Sequence, residues 1–450
     1  MRKHYRLALV LLFITTATES FGANFYIRKG ASGFNNGADW TNAWTDFSSV
    51  NYGAVSCGDT IWIAGGTYTS TLSVNKNCSS GSPLTFNRVL ASDPTPAAAG
   101  GWNNSFDSLV NITGSPGINV PGGSYVTIDG RFRYPSKTYG IKVTIPATGG
   151  NGVFAGQSAT VDNLKLYNIE VIGPYCTTSA PCSTAAYGIN IAPSTNNVTN
   201  LLVSNSYVHG ISEAFRASNW NGVVIEYNQI ADTINDGVDH EDVIYSYPSN
   251  NVIWRYNTIK NSPNDGLFFE FGGATNFYFY GNVFYASTSS FLTTKAPGNY
   301  GPIYIYNNVF QAPSASNYGW ITYNGSTMNA ADEVYNNVFY NVSNDMNAAK
   351  SGYNAYSYTT LNGYSWPSNE LGSFTFTDTG HTFVNVAGGD FHLVAGSSLI
   401  NKGKSLTTDG FINKDADGDT RGADGTWDIG AFEYHSGTPA PPTNLNSIVH

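Results

Sequence analysis

The hydrophobic pattern of this chain is short and strand-like. Val223-Val-Ile, Val252-Ile-Trp, Phe277-Tyr-Phe and Ile303-Tyr-Ile are β-branched and aromatic runs broken by Gly, Pro and Asn. Such runs predict short strands joined by turns. Each precedes one recurring phrase: Asn205-Ser-Tyr-Val, Asn228-Gln-Ile-Ala, Asn257-Thr-Ile-Lys, Asn282-Val-Phe-Tyr, Asn308-Val-Phe-Gln and Asn337-Val-Phe-Tyr. Successive spacings are 23, 29, 25, 26 and 29 residues, and Asn168-Ile-Glu-Val is an earlier copy 37 residues upstream. A period in the twenties means a unit that stacks on its neighbours. Three short strands and their turns per unit make one coil of a parallel β-helix. The Asn side chains would then stack as a ladder at a sharp turn.

Two segments depart from that rhythm. Trp40, Trp44, Phe47 and Val50 fall at helical spacing, which predicts a short amphipathic helix capping the N-terminal end of the core. Residues 90–168 are irregular and Gly/Pro-rich, with Arg131, Arg133 and Lys137 as a basic patch that reads as solvated loop.

Met1 to Gly22 reads as a secretory signal: Arg2, Lys3 and Arg6, then the apolar run Leu7 to Ile14, then Ser20-Phe-Gly22 as a cleavage site. Residues 23–435 would form the helix domain and 436–450 a Pro/Thr-rich tail. No apolar run is long enough to span a bilayer, so the expectation is a secreted, monomeric protein. Four Cys fall as two local pairs, Cys57 with Cys78 and Cys176 with Cys182, which in an exported chain reads as two disulfides. The net charge of −10 argues against nucleic acid as a partner. Only 12% of residues are charged while 14% are aromatic, a composition suited to meeting sugars through ring faces.

Against so few charges, a cluster carries information. Counting from the Asn of each unit, position eight is Glu213, Asp236, Asp265 and Ser290. Position eleven is Arg216, Asp239, Phe268 and Thr293, and position thirteen is Ser218, Glu241, Glu270 and Lys295. Position twelve is Ala217, His240, Phe269 and Thr294, small or apolar and so inward, which turns its neighbours outward. Arg216, Asp239, Glu241, Glu270 and Lys295 are therefore expected on one exposed patch. Carboxylates stacked at one coil spacing repel unless a cation sits between them. That arrangement points to chemistry more than to stability. His209 falls at a turn position and reads as structural.

Near the N-terminus, Cys57-Gly-Asp-Thr-Ile-Trp-Ile-Ala-Gly-Gly-Thr-Tyr68 resembles the opening coil of exported right-handed parallel β-helix proteins of the pectate-lyase-like superfamily. Asp390-Phe-His-Leu393, Ser398-Leu-Ile-Asn401, Asp417-Gly-Asp-Thr-Arg421 and Trp427-Asp-Ile-Gly-Ala-Phe-Glu433 resemble that group's closing segment. Loosely, Asp239-His-Glu241, Asn257-Thr-Ile259 and Gly266-Leu-Phe-Phe-Glu270 resemble the metal-and-base region of the chondroitinase B and alginate lyase family. The resemblance implies an all-β right-handed solenoid acting on a polysaccharide. It also implies Ca²⁺ held by the acid pair Asp239 and Glu241, with Asp242 beside them. That family's catalytic Lys falls near Ser246 and its Arg at Glu270, so its catalytic pair does not transfer. The residues themselves offer Lys295, Tyr245 or Tyr247 as base, Arg216 to pair with a substrate carboxylate, and Glu270 beside them. A uronan lyase is the leading expectation. A glycoside hydrolase using paired carboxylates and a non-catalytic glycan-binding protein are the alternatives. Asp415-x-Asp417-Gly-Asp419 begins like a Ca²⁺ loop, but Thr420 and Thr426 stand where Gly and Glu are required, so a polar closing turn is expected.

Overall fold

The computed structural model describes residues 22–436 except 133–137, 236–240, 264–265, 271–272, 289, 296–299, 315–320, 325–328, 343–349, 359, 362–363, 366–369, 379 and 407–411. Residues 1–21 of the expected signal (1–22) and 437–450 of the expected tail (436–450) lie outside the described residues, as do Asp239, His240 and Asp265.

The chain winds through three parallel sheets in turn. Trp220–Glu226 belongs to the first sheet, Gln229–Thr233 to the second and Ile244–Ser246 to the third, and Ser249–Arg255 then returns to the first. The next strand in each sheet pairs in parallel with its predecessor one coil earlier, as in Ile225↔Trp254↔Phe279↔Ile305. Stacked side chains of this kind line the inside. Phe215, Ile244, Leu267 and Leu292 line the third sheet, and Val208, Ile230, Ile259 and Phe284 the second, all buried. Burying each such side chain contributes about 1.5–3 kcal/mol. This is the parallel β-helix that the repeats call for.

The Asn ladder occupies the turn from the first sheet to the second. Asn257 donates its side-chain amide to the Ile225 carbonyl of the previous coil at 2.9 Å and to Oδ1 of Asn282 in the next at 3.1 Å. The backbone N–H of Asn257 shares the Asn282 oxygen at 2.9 Å. Asn228, Asn282, Asn308 and Asn337 repeat the link, and Asn354, absent from the sequence reading, ends the run. Asn205 and Asn168 do not belong to it. Ser206 takes the ladder position, with its N–H on Asn228 Oδ1 at 2.9 Å. Asn205 and Asn168 instead hold the preceding, left-handed position at φ 52° and 58°, level with Tyr227 and Tyr256. Asn suits both positions, since it tolerates left-handed backbone better than most residues.

The capping helix is not formed. Residues 38–46 are bends and a bridge, followed by the single 3₁₀ turn Phe47–Ser49. Asp39 accepts the backbone N–H of Asn42 at 2.7 Å and Asn35 that of Thr45 at 2.8 Å, and such local bonds compete with helix. The aromatic residues still cover the end. Trp44 stacks on Phe25 and bridges Ile27, beside the edge strand Asn24–Ile27, and Trp40 is fully buried. Both disulfides are present, Cys57–Cys78 and Cys176–Cys182.

The C-terminal segment runs back along the outside of the ladder corner. Asn307 donates to the Asp428 carbonyl at 3.0 Å, Asn336 to that of Lys404 at 2.8 Å, and the Tyr256 hydroxyl to that of Lys414 at 3.1 Å. Leu399, Ile429 and Ala431 pack against Val283, Val309 and Val338. Asp415 accepts backbone N–H groups from Asp417, Asp419 and Glu433, which makes the acidic run a hydrogen-bonded polar turn.

Candidate active site

The third sheet turns one column of side chains outward: Asn190, Arg216, Tyr245, Phe268 and Thr293, in register across five coils. Their neighbours Ala217, Ser246, Phe269 and Thr294 point inward and are buried, which fits the expected facing of that strand. The register itself corrects one expectation. Tyr245, and not Asp239, is the partner of Arg216, because six additional residues precede this strand in the Asn228 coil. Glu241 therefore belongs to the loop before the strand, and the thirteenth-position column does not pass through it.

Arg216 is the centre of the site. Its guanidinium carbon lies 4.8 Å from the ring centre of Tyr187, 5.2 Å from that of Tyr245 and 6.0 Å from that of Tyr247. One nitrogen donates to the Tyr247 hydroxyl at 3.4 Å, and another is 3.8 Å from the Glu213 carboxylate. Burial opposes the guanidinium charge, but Glu213 and the tyrosines outweigh it and hold the group firmly protonated. The side chain keeps 21% of its surface exposed, so the cation is presented rather than sealed.

Tyr245 connects Arg216 to Glu270. Its ring lies under the guanidinium, and its hydroxyl donates to the Glu270 carboxylate, with only 4% of Glu270 exposed. Tyr247 meets Tyr245 edge-on at 5.2 Å, and Phe268 closes the other side. Tyr245 thus links Arg216 to Glu270, but Glu270 is buried against that hydroxyl where its position thirteen predicts exposure.

The other expected residues divide. Lys295 ends the strand Leu292–Lys295, in register with Asn324, and its side chain lies outside the described residues. Glu241 is half-buried in the loop before Ile244–Ser246. Asp242 is fully buried, and its carbonyl accepts the Ala214 N–H at 3.1 Å, which sets it level with the equally buried Glu213 on the adjacent coil. Neither acid is presented to a substrate. Asp239 is outside the described residues, so the expected trio is not assembled among them. The single group of three ligand atoms within 4.8 Å among the described residues is instead Asp415, Asp419 and His435. Tyr187 was missed because it precedes the regular repeats. Counting back one coil from Glu213, its register partner, would have found it.

No family model and no curated protein sequence matches the chain. Solved structures do. The crystal structure of pectate lyase Pel9A is similar over 92% of this chain and 97% of that one, with 17% identity and a TM-score of 0.51. The complex of XylC with xylose is similar over 91% and 98%, with 10% identity and a TM-score of 0.54. At these identities the likeness is one of architecture. The chain has the pectate-lyase-like parallel β-helix fold. In such a solenoid, same-face residues on neighbouring coils stand about 4.8 Å apart, which is what draws Arg216, Tyr245 and Phe268 into one row.

Proposed function

We propose that this protein is an exported polysaccharide lyase that cleaves a uronic-acid-containing glycan by β-elimination. The observation that carries the reading is the Arg216 cation framed by Tyr187, Tyr245 and Tyr247, with the Tyr245 hydroxyl on Glu270. Elimination beside a carboxylate needs that carboxylate neutralised and the neighbouring C–H proton removed. Arg216 pairs with the sugar carboxylate and acidifies the proton. The Tyr245 oxygen takes it while passing its own proton to Glu270. The electron pair forms the C=C bond, the glycosidic C–O bond breaks, and the leaving oxygen takes a proton from Tyr247 or water. Hydrolysis by paired carboxylates is less well supported, because Glu270 is engaged by the Tyr245 hydroxyl and Glu213 lies beside the Arg216 guanidinium. Two disulfides suit an oxidising compartment. No helix among the described residues is long and apolar enough to cross a membrane.

A Ca²⁺ ion belongs to the proposal as a separate part. Asp239, Glu241 and Asp242 would hold it through hard oxygen donors, and it would supply further charge neutralisation. No step above depends on it. The deciding experiment is a uronan panel assayed for unsaturated products by absorbance and mass spectrometry. Products that are saturated and hydrated by one water would replace lysis with hydrolysis.

A further inference from the structure

The second sheet carries its own set of polar groups on its outer face. Thr67, Asn111, Lys142, Glu170 and Tyr207 lie in one row across successive coils, and Thr144, Ile172 and His209 in the next. Lys142, Thr67, Ser108, Asn111 and Thr144 line an open cavity of about 640 Å³ floored by Gly65 and Gly66. Hydroxyls, an amide and one ammonium face it, a lining made for a ligand rich in hydroxyl groups.

A hydrogen-bonded chain leads from that cavity to an exposed ring. Lys142 Nζ is 3.5 Å from Glu170 Oε1, the same oxygen is 3.1 Å from His209 Nε2, and His209 Nδ1 is 2.9 Å from the Tyr175 hydroxyl. The bond from His209, helped by the Lys142 charge and opposed by burial, holds the Glu170 carboxyl below the usual range. An ionised Glu170 only accepts, so Nε2 carries a ring hydrogen, while the Tyr175 hydroxyl is held between Nδ1 and the Asp232 carboxylate. Burial, then the Asp232 carboxylate, pushes the Tyr175 phenol up, so it stays a donor and is not poised as a base.

Tyr175 is therefore an anchored ring. It keeps 46% of its surface exposed at a left-handed φ of 53°, with the Cys176–Cys182 disulfide directly after it. It rests on Gly210, where a Cβ would come within 2.4 Å of the ring, so the sheet makes room for it. Holding an aromatic face rigidly toward solvent costs conformational freedom that a purely structural side chain would recover by burial. Such a face stacks on sugar rings. Lys142 and His209, the anchor of Tyr175, are two coils apart, about 9.6 Å, the span of a short oligosaccharide.

We propose that this face is a second glycan-binding site, seating an acidic oligosaccharide with one sugar on Tyr175 and a carboxylate at Lys142. The proposal rests on the reading of the chain as glycan-active, but not on catalysis at Arg216. The test is calorimetric titration of trigalacturonate and trimannuronate, with xylotriose as neutral control, into a Tyr245→Phe background whose turnover is slowed. Two bound trisaccharides per chain are expected. Tyr175→Ala and Lys142→Gln should each weaken one of them at least tenfold, with uronan turnover retained when either is made in the unmodified protein. Arg216→Gln should remove the other. A single site, two sites indifferent to both substitutions, equal binding of xylotriose, or no binding of either uronate overturns the proposal. Turnover on uronans, measured in parallel, separates that failure from failure of the lyase reading.

Discussion

Asn257 gives its side-chain N–H to Oδ1 of Asn282 in the next coil at 3.1 Å, while Asn228 gives its own to Asn257 at 3.0 Å. Each amide therefore serves three coils at once, and no apolar side chain can do so. Asn257→Leu should cost about 1–3 kcal/mol, the penalty for leaving buried partners unsatisfied. Calorimetric melting measures it, and an unchanged Tm would contradict the ladder.

Tyr245→Phe removes the one hydroxyl that touches Glu270 in the proposed relay and leaves the ring under Arg216. Turnover should fall by about 10²–10⁴, as for loss of a general base, with Tm little altered. Lys295→Ala should reduce turnover by less than about tenfold, well short of that general-base range. The opposite ranking of the two variants would move the base to Lys295.

Arg216→Lys keeps the charge but loses the flat group that lies against three rings. Both kcat and kcat/KM should fall on uronans, since the carboxylate is neutralised most strongly as the proton leaves. A rise in KM with kcat unchanged would make Arg216 a simple binding residue.

Calcium is tested separately. If Asp239, Glu241 and Asp242 bind it, added Ca²⁺ should raise the Tm of the protein, and Glu241→Gln should abolish the rise. Calorimetry with no heat of Ca²⁺ binding to the unmodified protein would leave the mechanism resting on Arg216, Tyr245 and Glu270 alone.

His392 donates to Asp390 at 2.6 Å and Asp417 at 2.7 Å, beneath the ring of Phe432. Burial opposes its charge, but the two carboxylates prevail and hold the imidazole up at about 9, against 6.5 ordinarily. A group raised in the folded state stabilises fully below its unfolded value and loses that contribution as pH rises through the folded one. Stability should therefore decline between about pH 6.5 and 9, by roughly 2 kcal/mol after allowance for solvent screening. His392→Gln should remove that slope from denaturant titrations across the range.

The solenoid was legible because one buried position holds Asn in each coil from Asn228 to Asn354. The off-by-one placement of Asn168 and Asn205 arose because the neighbouring left-handed position also favours Asn. The site was half legible. The inward facing of Ala217 put Arg216 on the outer face, where it lies, but the same reasoning exposed Glu270, which is buried on Tyr245. Asp239 was misplaced because the 29-residue interval from Asn228 to Asn257 sums two loops, and spacing alone does not divide it between them. The capping helix failed for a local reason: Trp40 and Trp44 have helical spacing, but Asp39 just before them and Asn42 between them bond to each other. Tyr175 carried no periodic signal, since it stands in an insertion outside the repeat.

The returning C-terminal segment changes what kind of object this stack of coils is. Coils that touch only their neighbours form an open zipper, which can fray from either end without disturbing the middle. Here Tyr256 is tied to Lys414 across 158 residues and Asn307 to Asp428 across 121. The zipper is thereby stitched along its spine. A coil in the centre cannot loosen without tearing a seam made by the last part of the chain, and that seam cannot be sewn until those coils exist. The final residues act as a lock on the assembly, and their loss would be felt in its middle before its end.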